Sequence, residues 1–343
     1  MRTTAAARAP DEILSWGRDL LEPALREAVG TLPAAVRRVS AFHFGWCDEH
    51  GNPTGASGGK ALRPTLALLA AEAAGGELEP ALPAAVALEL VHNFSLLHDD
   101  VMDADVLRRH RPTAWAVFGA GPAILAGDAL LTLAFDTLAA AGGERGREAV
   151  CILSAAVQAL VEGQIADLAF ESRDDVALQE CIDMARGKTA ALLGCACALG
   201  ELVTTGEPDR VERMRCFGER IGLAFQLVDD ILGIWGDPAR TGKAIHSDIS
   251  SRKKSLPVVA ALTSGTPAGR ELAALYGGTE KLSADDVATA AALVVSAGGR
   301  AWTEAEAAGQ LAAALDDLHA AALPNRAAAE LETLALLVTT RDH

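Results

Sequence analysis

Aromatic residues make up only 4% of the chain, and runs in which Val, Ile, Thr or Tyr alternate with polar residues are hard to find. Pleated sheets favour those side chains, so their scarcity argues for an all-α protein built from the Ala and Leu that dominate the composition. Cations are also in the minority. With 30 Lys and Arg against 46 Asp and Glu the net charge is −16, which makes nucleic acid an unexpected partner; basic residues gather only at 108–111 and 252–254, a scale suited to a small anion. No uninterrupted apolar run reaches the roughly 18–20 residues of a bilayer span. Asp128 and Asp136 break one candidate, and Lys188 and Glu201 another, so no transmembrane segment is expected. The opening MRTTAAARAP lacks the apolar core of a signal peptide; residues 1–10 read as a frayed tail, and the protein as cytoplasmic. The six cysteines form no CxxC pair and have no His at zinc spacing, so reduced thiols are expected, Cys195 and Cys197 included.

Half of the 343 residues are hydrophobic. That supplies a substantial core, for one large domain or two. Within it the stretch Leu88 to Arg109, LELVHNFSLLHDDVMDADVLRR, stands out. Leu90, Val91, Phe94, Leu97 and Val101 recur at helical steps, and carboxylates then gather near the end. Asp99 and Asp103 are four residues apart and project from one face, with Asp100 beside them. Like charges so placed repel, and two readings remain open: a solvated acidic helix end, or a site for a cation. Hard carboxylate oxygens suit Mg²⁺, which takes one or two of them and leaves its other positions to water and phosphate. Arg108 and Arg109 follow, suited to a diphosphate.

A second apolar helix pattern, FQLVDDILGIWGD from Phe225 to Asp237, runs into Asp229 and Asp230. Two such helices facing each other would make a cleft with acidic rims. The glycine-rich loop 51–64 is by itself weak evidence for phosphate binding. Lys60 and Arg63 at its end are more telling, since they open an apolar helix whose free N–H groups can meet an anion. Gln164 and Asp167 share the polar stripe of a helix over about 146–170, and Lys188 lies between apolar runs, either snorkelling or functional. The polar loop after the second aspartate pair carries Lys243, Lys253 and Lys254, which either screen phosphate or solvate a turn.

GGKALRP, LLHDDVMDADVLRRHRPT, GKTAALL, FQLVDDILGIWGD and TGKAIHSD, in this order over about 55–260, resemble the motifs of the trans-type isoprenyl diphosphate synthases. That resemblance implies a single all-helical domain over 11–343, an isoprenoid-synthase-type bundle around a central cavity, and a homodimer. It implies Mg²⁺ ions on an allylic diphosphate (dimethylallyl, geranyl or farnesyl), with Asp99, Asp103 and Asp229 as ligands and Asp100 and Asp230 in support. Arg108, Lys188, Gln226 and Lys243 match positions that hold the allylic diphosphate, and Thr189 one that faces the reacting carbons. Lys60, Arg63, His92 and Arg109, with the backbone of Gly59, match the isopentenyl diphosphate site; Lys253, or its neighbour Lys254, matches the lysine of a closing loop. Three departures stand out: Gly233 where many members have the last aspartate of the second motif, and His246 and His110 where glycine is usual.

Chain length in this family depends on where the cavity is plugged below the first aspartates. Counting back from Asp99 at about 1.5 Å per residue, Phe94 lies roughly 7–8 Å deeper and Val91 about 12 Å. A bulky Phe94 beside a small Ser95 resembles geranylgeranyl diphosphate synthases; a second aromatic in place of Ser95 would point to the fifteen-carbon product. Phe94 facing another helix is the alternative. The competing functions are a farnesyl diphosphate synthase, a class I terpene cyclase, and a catalytically silent partner subunit.

Overall fold

The computed structural model describes residues 7–54, 59–238, 245–278, 280–323 and 325–339. As the scarcity of sheet formers implies, helix follows helix. The helices are α1 (Pro10–Gly30), α2 (Ala34–His43), α3 (Leu62–Ala73), α4 (Leu82–Met102), α5 (Ala114–Phe118), α6 (Ala120–Ala140), α7 (Gly143–Glu171), α8 (Leu178–Ala185), α9 (Ala191–Thr204) and α10 (Pro208–Trp235). Six more follow: α11 (Ser247–Ser250), α12 (Leu256–Leu262), α13 (Pro267–Tyr276), α14 (Ala284–Ser296), α15 (Gly299–Ala320) and α16 (Arg326–Thr339). Among the described residues, strands are confined to the antiparallel pair β1 (Leu107–Arg108) and β2 (Arg111–Pro112). The chain divides into two compact units: Met1–Ser154 with Ala196–Glu212 and Leu323–Leu331, and Ala155–Cys195 with Arg213–Ala322 and Glu332–His343.

The first unit is built around α4, which packs along α6 and against α1, α3 and α5. Leu88, Leu90, Val91 and Leu97 are fully buried on different sides of it, as expected of a helix that is apolar all round. Each such side chain contributes roughly 1.5–3 kcal/mol. α6 approaches closely at Gly127, where a Cβ would sit 2.4 Å from the ring of His98. In the second unit one core joins Phe170 of α7, Cys181 and Ala185 of α8, Leu223 and Leu227 of α10, and Leu256 and Val259 of α12. A second joins Ile234, Ile249, Val258, Leu272 and Val294. All six cysteines are free thiols, and Cys181, Cys195 and Cys197 are buried.

No unbroken apolar run reaches the length of a bilayer span, but whole helices do by length and composition. Four helical stretches, Glu79–Met102, Ala120–Ala140, Gly143–Glu171 and Leu178–Thr204, are long and apolar enough to cross a bilayer. Counting unbroken runs missed them, because a long helix tolerates one or two charges within an apolar stretch. In the first and last, 72% of the most apolar window is buried in protein, so their hydrophobicity serves the core. In α6 and α7 the buried share is 33% and 39%. Ile124 and Leu125 on α6, and Val161 and Ile165 on α7, are correspondingly exposed.

Within the stretch read as a tail, Arg8 is tied down. Its backbone N–H, Nε and Nη2 donate to the Glu330 carboxylate at 2.9, 3.0 and 2.6 Å, and its guanidinium lies 3.9 Å from the centre of the Trp16 ring. The Glu330 side chain has no exposed surface. Burial alone would raise its carboxyl pKa, but the hydrogen bonds and charge of Arg8, helped by Arg326, outweigh it and hold the group below its ordinary value. Such a carboxyl adds stability above its unfolded pKa and loses it as pH falls through the folded one. Glu330→Gln is therefore expected to cost about 3 kcal/mol at pH 7, and the gap to the wild type, measured by urea denaturation, should close below about pH 4. A gap that persists unchanged in acid would assign the loss to packing rather than charge.

Candidate active site

Asp99 and Asp100 occupy the last turn of α4, and Asp103 caps it, its N–H bonded to the Asp99 carbonyl at 2.8 Å. A helix C-terminus is the negative end of the macrodipole, so three carboxylates there are opposed by the helix as well as by each other. Asp100 turns inward, 1% exposed. Its Oδ1 accepts from Arg108 Nε at 2.6 Å, while its buried Oδ2 has no hydrogen-bond partner. Burial raises the Asp100 carboxyl and Arg108 pulls it back. Among the described residues no three Asp, Glu, His or Cys side chains form a ready-made metal cage. Mg²⁺ needs none, because one or two carboxylates suffice when phosphate and water fill its other positions. The Asp99/Asp103 pair with the orphan oxygen of Asp100 fits that requirement.

Below Asp99 the i, i−4 stripe continues through Ser95 and Val91, both buried. Ser95 Oγ donates to the His92 carbonyl at 2.9 Å. Phe94 packs edge-on against His98, 4.8 Å between ring centres, and both adjoin Gly127 of α6. It is the His98 ring and the Phe94 carbonyl that face Gly127; the Phe94 side chain, the largest of the predicted chain-length set, is buried beside the stripe under Asp99.

Between β1 and β2 the turn residues Arg109 and His110 have φ of 51° and 62°. Two successive left-handed residues make the primed turn that suits a two-residue hairpin, although glycine or asparagine is the usual occupant. His110 therefore adopts the backbone expected of the glycine it replaces. The turn lays the Arg109 guanidinium on Gly59, where a Cβ would fall 2.7 Å from Nη2. Gly59, Arg108 and Arg109 line a cavity of about 270 Å³, together with Arg18, Glu89 and Asn93. Arg63 and His92 share its electrostatic field. Burial, with Arg109 adding to it, pulls the Arg63 guanidinium down to about 10 while Glu89 opposes. Burial and the nearby arginines keep His92 neutral. Lys60 is exposed next to Gly59. Glu89, Asn93 and Arg18 escaped the sequence reading, although Glu89 and Asn93 are polar residues four apart in an otherwise apolar helix.

In the second unit, residues Arg186–Ala190 form a π-helical turn between α8 and α9, a feature frequent at functional sites. It fits because two glycines meet: a Cβ at Gly163 of α7 would lie 2.4 Å from the Lys188 nitrogen, and one at Gly187 would lie 2.5 Å from the Ala159 carbonyl. Lys188 Nζ reaches Asp167 at 2.6 Å. Thr189 Oγ1 donates to Gln226 Oε1, and Gln226 Nε2 to Asp230 Oδ1, each at 2.8 Å. Asp230 Oδ2 accepts from the Leu256 N–H at 2.9 Å. Lys188, Thr189, Gln226 and Asp230 are thus joined into two short polar chains, and Asp229 precedes Asp230 on α10. Lys243 lies outside the described residues.

Lys253 Nζ lies 3.9 Å from Asp248 Oδ2. Burial would lower its pKa, but Asp230, Asp248, Asp167 and Asp229 outweigh burial and raise it. Lys254 is instead buried, and its carbonyl accepts from Cys181 Sγ at 3.3 Å, so the charge beside the second motif is that of Lys253. At Gly233 a Cβ would fall 2.3 Å from Asp248 Oδ2; the space a side chain would need is taken by that carboxylate. His246 has φ of 61°, again the backbone of the glycine it replaces.

Burial raises Asp230 to about 6, against the pull of Lys253 and its two hydrogen bonds. In the metal-free protein, carboxyl ¹³C NMR should show one aspartate titrating near pH 6, and that signal should vanish in Asp230→Asn. An Asp230 resonance titrating below pH 4 would contradict this burial argument.

Residues 45–295 match the family described as Polyprenyl synthetase. The chain is 47% identical over 333 residues to (2E,6E)-farnesyl diphosphate synthase of Mycobacterium tuberculosis, covering 96% of this chain and 92% of that protein. It is 44% identical over 291 residues to a geranylgeranyl diphosphate synthase of the same organism, covering 82% and 83%. The crystal structure of a polyprenyl synthetase from Streptomyces coelicolor superposes with a TM-score of 0.91 at 45% identity, covering 95% of this chain and 98% of that one. The chain belongs to the polyprenyl synthetase family, the trans-type isoprenyl diphosphate synthases, and has their all-α fold.

Proposed function

We propose that the chain is a Mg²⁺-dependent prenyltransferase that joins isopentenyl diphosphate to an allylic diphosphate and releases an all-trans product of twenty carbons. The observation that carries this reading is the pairing, through the Asp100–Arg108 ion pair, of an acidic helix end with an arginine-lined cavity. One suits a metal-bound diphosphate and the other a second diphosphate. The protein acts as a single cytoplasmic catalytic domain and as a homodimer; the exposed Ile124 and Leu125 of α6 are apolar surface of the kind subunit interfaces cover.

Bound Mg²⁺ would supply positive charge to the departing diphosphate. Asp99, Asp103 and Asp229 would be its ligands, with Asp100 and Asp230 orienting their surroundings. Arg108, Lys188, Gln226 and Lys243 hold the allylic diphosphate, with Lys253 closing over it. The allylic C–O bond breaks and its electron pair leaves with the diphosphate, whose new charge those cations stabilise. Gly59, Lys60, Arg63, His92 and Arg109 hold isopentenyl diphosphate so that its double bond attacks the allylic carbon. The proton lost from the adduct passes to the released diphosphate. Thr189, fixed by Gln226, faces the reacting carbons, and apolar walls keep water from the cation.

A second reading is favoured by the 47% identity to a farnesyl diphosphate synthase, which would make the product fifteen carbons long. Purified protein with Mg²⁺ and farnesyl diphosphate should give geranylgeranyl diphosphate only when isopentenyl diphosphate is added. Elongation of geranyl but not farnesyl diphosphate would establish the fifteen-carbon reading instead. Cyclic hydrocarbon from farnesyl diphosphate alone would favour a terpene cyclase, and no turnover a silent subunit. Ser95→Phe, which adds bulk one turn below Asp99, should shorten the main product to fifteen carbons by mass spectrometry. An unchanged product would place the chain-length stop elsewhere than on the Val91–Ser95 stripe.

A further inference from the structure

The cavity lined by Gly59 and Arg109 contains a carboxylate that an anion site has no obvious use for. Glu89 is 8% exposed, lines the cavity and accepts from Asn93 Nδ2 at 2.9 Å on Oε1. The same Nδ2 lies 2.8 Å from the Glu89 carbonyl, so Asn93 is clamped to one helical turn and the carboxylate is clamped to Asn93. Two other carboxylates line the cavity, and each already has an arginine in contact: Asp100 with Arg108 at 2.6 Å and Glu22 with Arg26 at 2.7 Å. Among the described residues Glu89 makes no such contact pair. Arg109 shares the cavity lining with it, and buried Arg63, whose Nε has no partner, is near enough that both arginines favour the carboxylate while burial, the larger effect, raises its pKa. Two cations in a poorly solvated pocket repel unless a counter-charge is near.

We infer that Glu89 is a positioning residue: its clamped carboxylate is the fixed counter-charge that holds Arg63 and Arg109 together for the diphosphate of isopentenyl diphosphate. This rests on the reading of that cavity given above. Glu89 does not touch substrate; it acts through the two arginines, as outer-shell carboxylates act through the ligands they orient. Simple charge counting predicts the opposite sign, since deleting a negative charge from an anion site should tighten binding. The two accounts therefore separate in one measurement.

Steady-state kinetics of Glu89→Gln, which keeps shape and loses charge, should show KM for isopentenyl diphosphate raised about tenfold and KM for the allylic substrate within about twofold, with the thermal midpoint unchanged. Glu89→Asp should recover most of the loss. Asn93→Ala, which keeps the charge but unclamps it, should shift the same KM in the same direction, and it serves as the test should Glu89→Gln not fold. An unchanged or lower KM for isopentenyl diphosphate in the folded variants, or an equal rise for both substrates, overturns the inference. Arg109→Gln measured alongside separates the two levels. If it too leaves that KM unchanged, the assignment of the cavity fails; if it alone raises it, only the role of Glu89 fails.

Discussion

Repulsion between like charges held close together is the constraint on which both halves of the site depend. At the end of α4, Asp99, Asp100 and Asp103 face each other and the negative end of their own helix. A few residues on, Arg108, Arg109 and Arg111 follow one another around a hairpin. Neither arrangement is what folding alone would select. Internal pairing of Asp100 with Arg108 neutralises one charge of each sign. The second unit repeats the device with the signs exchanged: several carboxylates surround the ammonium of Lys253, whose affinity for its proton rises accordingly. On the function proposed above, the cost of burying such charges is offset when a divalent cation and a diphosphate bind together.

Holding such groups demands backbone that regular helices do not provide. Arg109 sits in a left-handed turn, and only so does its guanidinium reach Gly59. Lys188 and Thr189 come from a π-helical turn, possible because Gly163 and Gly187 let two backbones touch. Left-handed residues and close glycine contacts thus help present Arg109 and Lys188, while other glycines, such as Gly200 against Ala67 and Gly222 against Ala190, serve close packing in the cores.

Helix periodicity and the five motifs were enough to read the fold class and the aspartate helices from sequence, because long apolar stripes and clustered charges are local signals. What escaped was set by packing. Nothing local tells that Asp167 is the partner of Lys188, or that Glu89 shares a cavity with Arg109; each depends on which residues a neighbouring helix or loop brings near. The membrane-length helices were missed for a different reason. Unbroken runs are a poor measure of a helix that carries one charge on an otherwise apolar surface. Lys243, a motif residue, lies outside the described residues, so its place rests on sequence alone.

The departures from the family pattern bear on whether the chain is an active enzyme or an emptied scaffold. A decayed site would be expected to lose ligands at random and to relax its strained turns, since strain persists only where something maintains it. Here His110 and His246 replace glycine yet keep φ of 62° and 61°, so the unusual backbone has outlived the residue that adopts it most easily. At Gly233 the missing aspartate leaves no void: the Asp248 carboxylate fills the place its side chain would need. That carboxylate belongs to the TGKAIHSD motif itself, so the second motif carries one negative charge fewer but no void. Substitutions that keep the unusual backbone and leave no cavity argue for a site still in use.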